Sequence, residues 1–359
     1  MSNQHTSKDI TLYWESGTAY ELFVSLYVLH KPELFGIRAS WAAGIRSRIP
    51  AAERKLLEEV VPFTGFPLTW IHKLPGPKDA ISALWALKQI PPAERMIRMI
   101  NEEEKDSVWN KALMNVARKC AWDQDDLVIL KDFLKEKGEA ALDDKKIISL
   151  LARWAAPEEL GEGFLTALQA YQQAFFEEEE KRLDPILKAG LERARQLAPK
   201  MSIEELLTEL SQGVRLEDIY CCKNLVILPA FWTTPLVLYM KSDEDTMLFM
   251  FGVRPVDMSA IPGEMVPDGL LRALRALSDT SRLKILYYLS KEELTASELS
   301  RRLRLRAPTV THHLSELRLS GLVNVTVKGQ EKLYRTRDEA LDSMYTALKA
   351  FLHMSKSEQ

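Results

Sequence analysis

The side chains most able to do chemistry in this 359-residue chain crowd one short stretch. Thr309, Thr311, His312 and Ser315 carry short or flat donors and acceptors, and Val310, Leu314 and Leu317 recur among them at i, i+4 and i+7. That spacing turns the apolar residues to one side of a helix and leaves the polar ones elsewhere. Side chains of this size suit hydrogen bonding to base edges and phosphate oxygens. Arg306 precedes the helix, Arg318 lies near its end, and Pro308 fits its first turn, where no backbone donor is needed. His313 joins the candidate set, although a structural hydrogen bond near the turn is its simpler role. Next, Val323, Val325 and Val327 alternate with Asn324, Thr326 and Lys328, Gly329 marks a turn, and Leu333, Tyr334 and Arg335 return. Such a hairpin would carry Lys328, Gln330, Lys332, Tyr334, Arg335 and Arg337, most of them cations able to clamp phosphates.

Placing this set requires a scaffold, and the preceding residues supply one. Leu270, Leu271, Leu274 and Leu277 form a helical stripe. Asp279, Thr280 and Ser281 offer capping oxygens to a helix Arg282–Leu289, with Leu283, Ile285, Leu286 and Leu289 on its core face. Thr295 caps a third helix, Ala296–Leu303, with Leu299 and Leu303 inward, and Leu305-Arg306-Ala307 is the turn into the candidate helix. Two short helices, a tight break and a hairpin make a winged helix-turn-helix, whose second helix enters the major groove of DNA. Charge agrees. Residues Asp268 to Met354 hold 15 Lys and Arg against 10 Asp and Glu, a net +5 in a chain whose total is −3, so the remainder carries −8. Across Thr295–Arg337, nine basic residues face only Glu298, Glu316 and Glu331. A basic module on an acidic body suits a protein in which one part alone meets phosphate.

At this point a resemblance becomes specific. Leu274-Arg275-Ala276-Leu277-Ser278-Asp279-Thr280-Ser281-Arg282-Leu283-Lys284-Ile285-Leu286 resembles the opening signature of the ArsR family of bacterial repressors. Glu298-Leu299, Pro308-Thr309-Val310-Thr311-His312-His313-Leu314, Leu317 and Gly321-Leu322-Val323 are similar to its helix-turn-helix. The resemblance covers about Leu270–Met354, and the preceding region resembles a subset of these regulators with a large N-terminal extension. It implies a transcriptional regulator, a repressor by family habit, reading a near-palindromic operator on double-stranded DNA. It also implies a homodimer built on the first and last helices, through Leu270, Leu274, Leu341, Met344, Tyr345, Leu348 and Phe351. The sequence departs from the family pattern at Thr280, Ser281, Arg306 and Ala307. Ala307 cannot read a base edge by hydrogen bonding, whereas Arg306 adds phosphate affinity. Metal-sensing members carry Glu-Leu-Cys-x-Cys-x-Leu where this chain has Glu293-Leu294-Thr295-Ala296-Ser297-Glu298-Leu299. The second family metal site meets only Asp338, Asp342 and a lone His353, so no metal and no cofactor are expected.

The fold expected for the whole is mainly α with small β elements. It comprises a mostly helical region over 1–156, a long helix with a small sheet over 157–262, and the winged helix over 268–354. Prolines at 32, 50, 62, 67, 75, 77, 91 and 92 punctuate short helices after a strand near Ile10–Trp14. Glu158–Leu197 reads as a longer helical stretch that Pro185 should kink or break. Ser202 with Glu205 forms a capping box. Leu225–Leu228, Leu236–Met240 and Met247–Phe251 read as strands, the last two a hairpin, and Pro255–Asp268 as a linker. The apolar run Asn224–Met240 contains Pro229 and Pro235 and reads as buried strands rather than a membrane span. No apolar signal core opens the chain, so a soluble cytoplasmic protein is expected.

Weaker constellations have simpler readings. Adjacent Cys221 and Cys222 could sense oxidants or arsenic, but buried hydrophobes are the commoner case. His312 and His313 diverge on a helix and make a poor metal pair. Gly161-Glu162-Gly163 lacks the third glycine and preceding strand of a dinucleotide site. The eight tryptophans suit core packing, or an apolar pocket near Phe231 and Trp232 for an unknown small-molecule effector. No catalytic constellation is visible, and no enzyme is expected. The competing use of the winged helix is as a protein-interaction or dimerisation module without specific DNA binding; its basic bias argues for DNA.

Overall fold

The computed structural model describes residues 10–136, 143–216, 219, 222–328 and 331–354. Helices dominate, with two four-stranded sheets among the described residues. The chain divides into two compact units. One comprises residues 16–185 with 239–248; the other comprises residues 1–15, 186–238 and 249–359. This division differs from the three segments expected from the sequence, because residues 186–238 belong to the same unit as the winged helix.

The first unit is helical. Its caps follow from local sequence: Asp79 accepts from the Ser82 amide, Ser107 from Asn110 and Asp143 from Lys145. Pro185 does not break its helix, which runs Glu177–Leu197 after a π-helical turn at Gln172–Phe176. Leu183, Leu187, Leu191 and Ala194 recur at helical spacing and are all buried. Burying three leucines is worth several kcal/mol, which outweighs the roughly 3 kcal/mol cost of an interior proline.

Strands β1 (Thr11–Trp14), β3 (Asn224–Ala230), β4 (Leu238–Lys241) and β5 (Thr246–Gly252) form one sheet in the order β1-β3-β5-β4, with β1 parallel to β3. These strands match the sequence expectation. A three-residue strand, β2 (Val214–Leu216), was not foreseen. It joins the sheet of the wing.

The winged helix contains α1 (Asp268–Leu277), α2 (Thr280–Leu289), α3 (Ala296–Leu303), α4 (Ala307–Leu319) and α5 (Asp338–Met354). Its strands are β6 (Leu294–Thr295), β7 (Val323–Lys328) and β8 (Glu331–Thr336). The sheet order is β2-β7-β8-β6, β7 and β8 being antiparallel and β2 parallel to β7. Ile285, Leu289, Leu299, Val310, Leu314 and Leu317 meet in one core beneath the sheet. Leu283, expected on that core, is 48% exposed. Ile285 and Leu289 already supply the inward i, i+4 positions of α2 and turn Leu283 away.

Candidate nucleic-acid interface

Local chemistry fixes the geometry of the helix-turn-helix. Asp279 caps α2 by accepting from the Arg282 amide at 2.9 Å, and this bond, with the Arg282 charge, holds its carboxyl below the usual range. Arg282 in turn donates Nε to the Ala276 carbonyl and Nη2 to that of Arg275, closing the end of α1. Thr295 and Glu298 form a reciprocal capping box at the start of α3. Thr295, at one position of the family's metal-site stretch, thus serves as a helix cap. The turn lies one residue earlier than expected, at Arg304-Leu305-Arg306, because Arg304 ends α3 in the left-handed conformation at φ 55°. The Ser300 hydroxyl donates to the Leu305 carbonyl and locks this turn.

Arg306 is the N-cap residue of α4, and Pro308 lies in the first turn. Val310, Leu314 and Leu317 are buried, whereas Arg306, Ala307, Pro308, Thr309, Thr311, His312 and Ser315 are exposed. The helix therefore presents one continuous polar and cationic face, free of the core. His313 is half-buried rather than on that face. Its Nδ1 has no hydrogen-bond partner, in contrast to the structural bond expected from sequence.

Arg318 does not join the face. It is 9% exposed, and its Nη2 donates to the backbone carbonyls of Ser211 at 2.9 Å and Pro235 at 3.3 Å. Burial, with Arg337 adding repulsion, pulls its pKa down to about 10. Its expected role at DNA is corrected: at i+4 from Leu314 it lies on the helix's inward side and ties α4 to the segment around Ser211.

In the wing, register assigns the faces, since directly paired residues and alternate positions share a side. Val325 pairs with Tyr334 and Val327 with Lys332 on the side that covers the core; Asn324 pairs with Arg335 and Lys328 with Glu331 on the other. Tyr334 packs half-buried against the core, and burial raises its hydroxyl pKa, so it is a wall of the fold more than a groove contact. Lys332 occupies the far end of the same side, and Lys328 and Arg335 flank the opposite side. Gln330 lies outside the described residues, as does Cys221. Strand β2 adds Arg215, paired with Thr326, to the side that carries Lys328 and Arg335. Arg215 and Arg304 are exposed cations that the sequence reading passed over. Only the pairing of β2 brings Arg215 to the wing, whereas Arg304 was legible as a basic turn residue.

Of the expected dimer residues, Leu274, Leu341 and Tyr345 are exposed, and Met344, Leu348 and Phe351 are half-buried. Leu270 is buried at 4% inside the protomer, so its apolar surface is already used. Phe231 and Trp232 are buried edge-to-face, with Arg254 over the Phe231 ring. Buried Cys222 directs its thiol to the Ile219 carbonyl. Among the described residues, no group of three or more His, Cys, Asp and Glu side chains is arranged to hold a metal ion, and no helix is long and apolar enough to cross a membrane.

A helix-turn-helix followed by a two-stranded wing defines the winged-helix class. The description "Bacterial regulatory protein, arsR family" matches residues 279–325. The arsenical resistance operon repressor of Staphylococcus xylosus is 39% identical over 69 residues, which are 19% of this chain and 66% of that protein. The transcriptional activator HlyU of Vibrio cholerae is 36% identical over 75 residues, 21% of this chain and 69% of HlyU. A cadmium resistance regulatory protein CadC homolog of Staphylococcus aureus is 33% identical over 88 residues, 24% of this chain and 71% of the homolog. Among solved structures, an ArsR-like transcriptional regulator from Rhodococcus sp. RHA1 is 30% identical, covers 24% of this chain and 83% of its own, and has a TM-score of 0.23. The chain belongs to the ArsR family of bacterial regulatory proteins. It spans just under two thirds of the first of these relatives, and at least three quarters of it lies outside each match.

Proposed function

We propose that this protein is a cytoplasmic, homodimeric DNA-binding transcriptional regulator, acting as a repressor on a near-palindromic operator. The observation that carries this reading is the exposed row Arg306, Thr309, Thr311, His312 and Ser315 on α4, backed by a buried apolar seam. In the proposed complex α4 lies in the major groove, with its hydroxyls and His312 at base edges. Arg304, Arg306, Lys328, Lys332, Arg335 and Arg215 neutralise phosphates. Ala307 offers only a methyl, which suits apolar contact with a thymine methyl group. Exposed apolar side chains at Leu274, Leu341 and Tyr345 support a two-fold dimer, which places two recognition helices about one DNA turn apart.

Effector control would act through the segment that holds α4 and the wing from behind. Arg318 ties α4 to the Ser211 and Pro235 carbonyls, and β2 pairs with β7. A displacement of residues 211–216 would move the reading helix and wing together, so a ligand favouring one position would shift DNA affinity.

Fluorescence anisotropy with the DNA upstream of the protein's own coding region tests the reading. Tight binding that weakens steeply with salt is expected. Arg306→Ala with Lys332→Ala should reduce the slope of log K against log salt by about 1.8, at roughly 0.9 per lost phosphate contact. Weak, sequence-indifferent binding that the double variant leaves unchanged would refute it.

A further inference from the structure

Which bases α4 is able to read follows from the side chains on its outer line. The buried seam of Val310, Leu314 and Leu317 fixes one side of the helix. At about 3.6 residues per turn, the opposite line runs through Pro308, Thr311, His312 and Ser315, at i, i+3, i+4 and i+7. All four are exposed.

None of the four is an Arg, Lys, Asn or Gln, the side chains that grip a purine through two parallel hydrogen bonds. Arg318, the one Arg or Lys within α4, is buried on the Ser211 and Pro235 carbonyls. Glu316, its one carboxylate and an acceptor suited to the cytosine amine, is half-buried, and it stabilises the charge of Arg272 on α1. The usual readers of guanine, adenine and cytosine are thus missing from the line or turned away from it. What the line carries is apolar surface beside single donors and acceptors. Pro308 offers a ring without polar atoms, Thr311 a methyl and a hydroxyl, Ser315 a hydroxyl, and His312 a flat ring with two nitrogens. A lone hydroxyl serves donors and acceptors alike and discriminates little, whereas the thymine methyl is the base-edge group that apolar side chains recognise. Phosphate contacts from Arg306 and the wing would set the register without carrying sequence.

We propose that α4 specifies its half-site through thymine methyl groups packed against Pro308 and Thr311, with His312 donating the one directional bond, to the N7 of a purine. The inference rests on the regulator reading and adds to it the bases recognised and the residues that select them.

Full-length protein selects its site from a random duplex library, and anisotropy then compares chemically altered copies of the selected duplex. Deoxyuridine in place of thymidine removes only the methyl. Under α4 each replacement should weaken binding about fourfold, the worth of one buried methyl group, and replacements outside the half-sites should change nothing. Thr311→Ser keeps the hydroxyl and removes the methyl, so it should lose the thymine preference at one position and retain it elsewhere. A 7-deazapurine at the recognised purine should cost the wild type about fivefold, as for one lost hydrogen bond, and cost His312→Ala nothing. A selected half-site without thymines, deoxyuridine copies that bind as tightly as the parent, an intact preference in Thr311→Ser, or an equal 7-deazapurine effect in His312→Ala would each overturn the proposal and leave the regulator reading in place. Failure to select any sequence would overturn both.

Discussion

Replacing Arg318 by Met separates two roles that the sequence alone confuses. A basic residue near the end of a recognition helix invites assignment to a phosphate, yet this guanidinium is buried and donates to Ser211 and Pro235. Holding it down at about 10, well below the ordinary guanidinium value, corresponds to roughly 3 kcal/mol against the charged form. Two hydrogen bonds from a charged donor return about 1.5–3 kcal/mol each, or roughly 3–6 together. The bonds therefore at least offset the cost of burial. Methionine fills a similar volume, removes the desolvation cost and leaves two carbonyls without their donor. A net loss of about 2 kcal/mol is expected, which at roughly 2–4 °C per kcal/mol lowers the Tm by about 4–8 °C.

Differential scanning fluorimetry reads the stability, and anisotropy across a salt series reads the DNA side. For an anchor, Arg318→Met lowers Tm and weakens operator binding by a similar factor at every salt concentration. For a phosphate contact, the same substitution reduces the salt slope by about 0.9 and leaves stability within about 0.5 kcal/mol of wild type, with Tm nearly unchanged, as for an ordinary surface change. A reduced slope with unchanged Tm would refute the anchoring role derived from these bonds.

Gly213→Ala should detach β2: the residue sits at φ +96°, and an added Cβ would lie 1.8 Å from Asn324 Oδ1. A loss of about 2 kcal/mol or more is expected in a denaturant titration, with Asn324→Ala relieving the clash but not the backbone strain. His30 supplies a pH test. Burial lowers its pKa from 6.5 to about 4, with the Leu26 bond opposing and Arg46 adding, so the unfolded chain binds the extra proton first. Stability is then full above pH 6.5 and falls as pH drops toward 4, by up to about 3 kcal/mol; His30→Gln should flatten Tm over that window. Leu341→Glu with Tyr345→Glu places two charges on the exposed side of α5 and should yield monomers in sedimentation velocity, with operator affinity lost in parallel.

The winged helix was legible because its signals are local. Val310, Leu314 and Leu317 announce a helix seam by spacing, Thr295 and Glu298 a cap by type, and the three valines of β7 a strand by alternation. What escaped is non-local. The Arg318 partner lies 107 residues away, and no periodicity reports a bond of that span. Strand β2 is three residues long, too short for a two-residue period to stand out, and it exists because β7 offers an open edge. Pro185 misled for the opposite reason. A strong local rule yielded to buried leucines on both sides of the proline, which the sequence displays but does not weigh.

These non-local features fall in one place. Residues 211–216 supply the Ser211 carbonyl to Arg318, the Gly213 carbonyl to the Val325 amide and the Val214–Leu216 edge to β7. A winged helix needs none of these to fold its own core, since Ile285, Leu299, Val310 and Leu317 already meet without them. Their effect is to make the position of α4 and the wing depend on a segment outside the matched family region. Gly213 takes φ +96° without strain because it has no Cβ, and this lets its carbonyl accept from the Val325 amide. In the proposed regulator this attachment contributes the stability that the Arg318 and Gly213 substitutions above would remove, and it couples the reading helix and the wing to residues 211–216. That is the physical requirement for control by the rest of the chain.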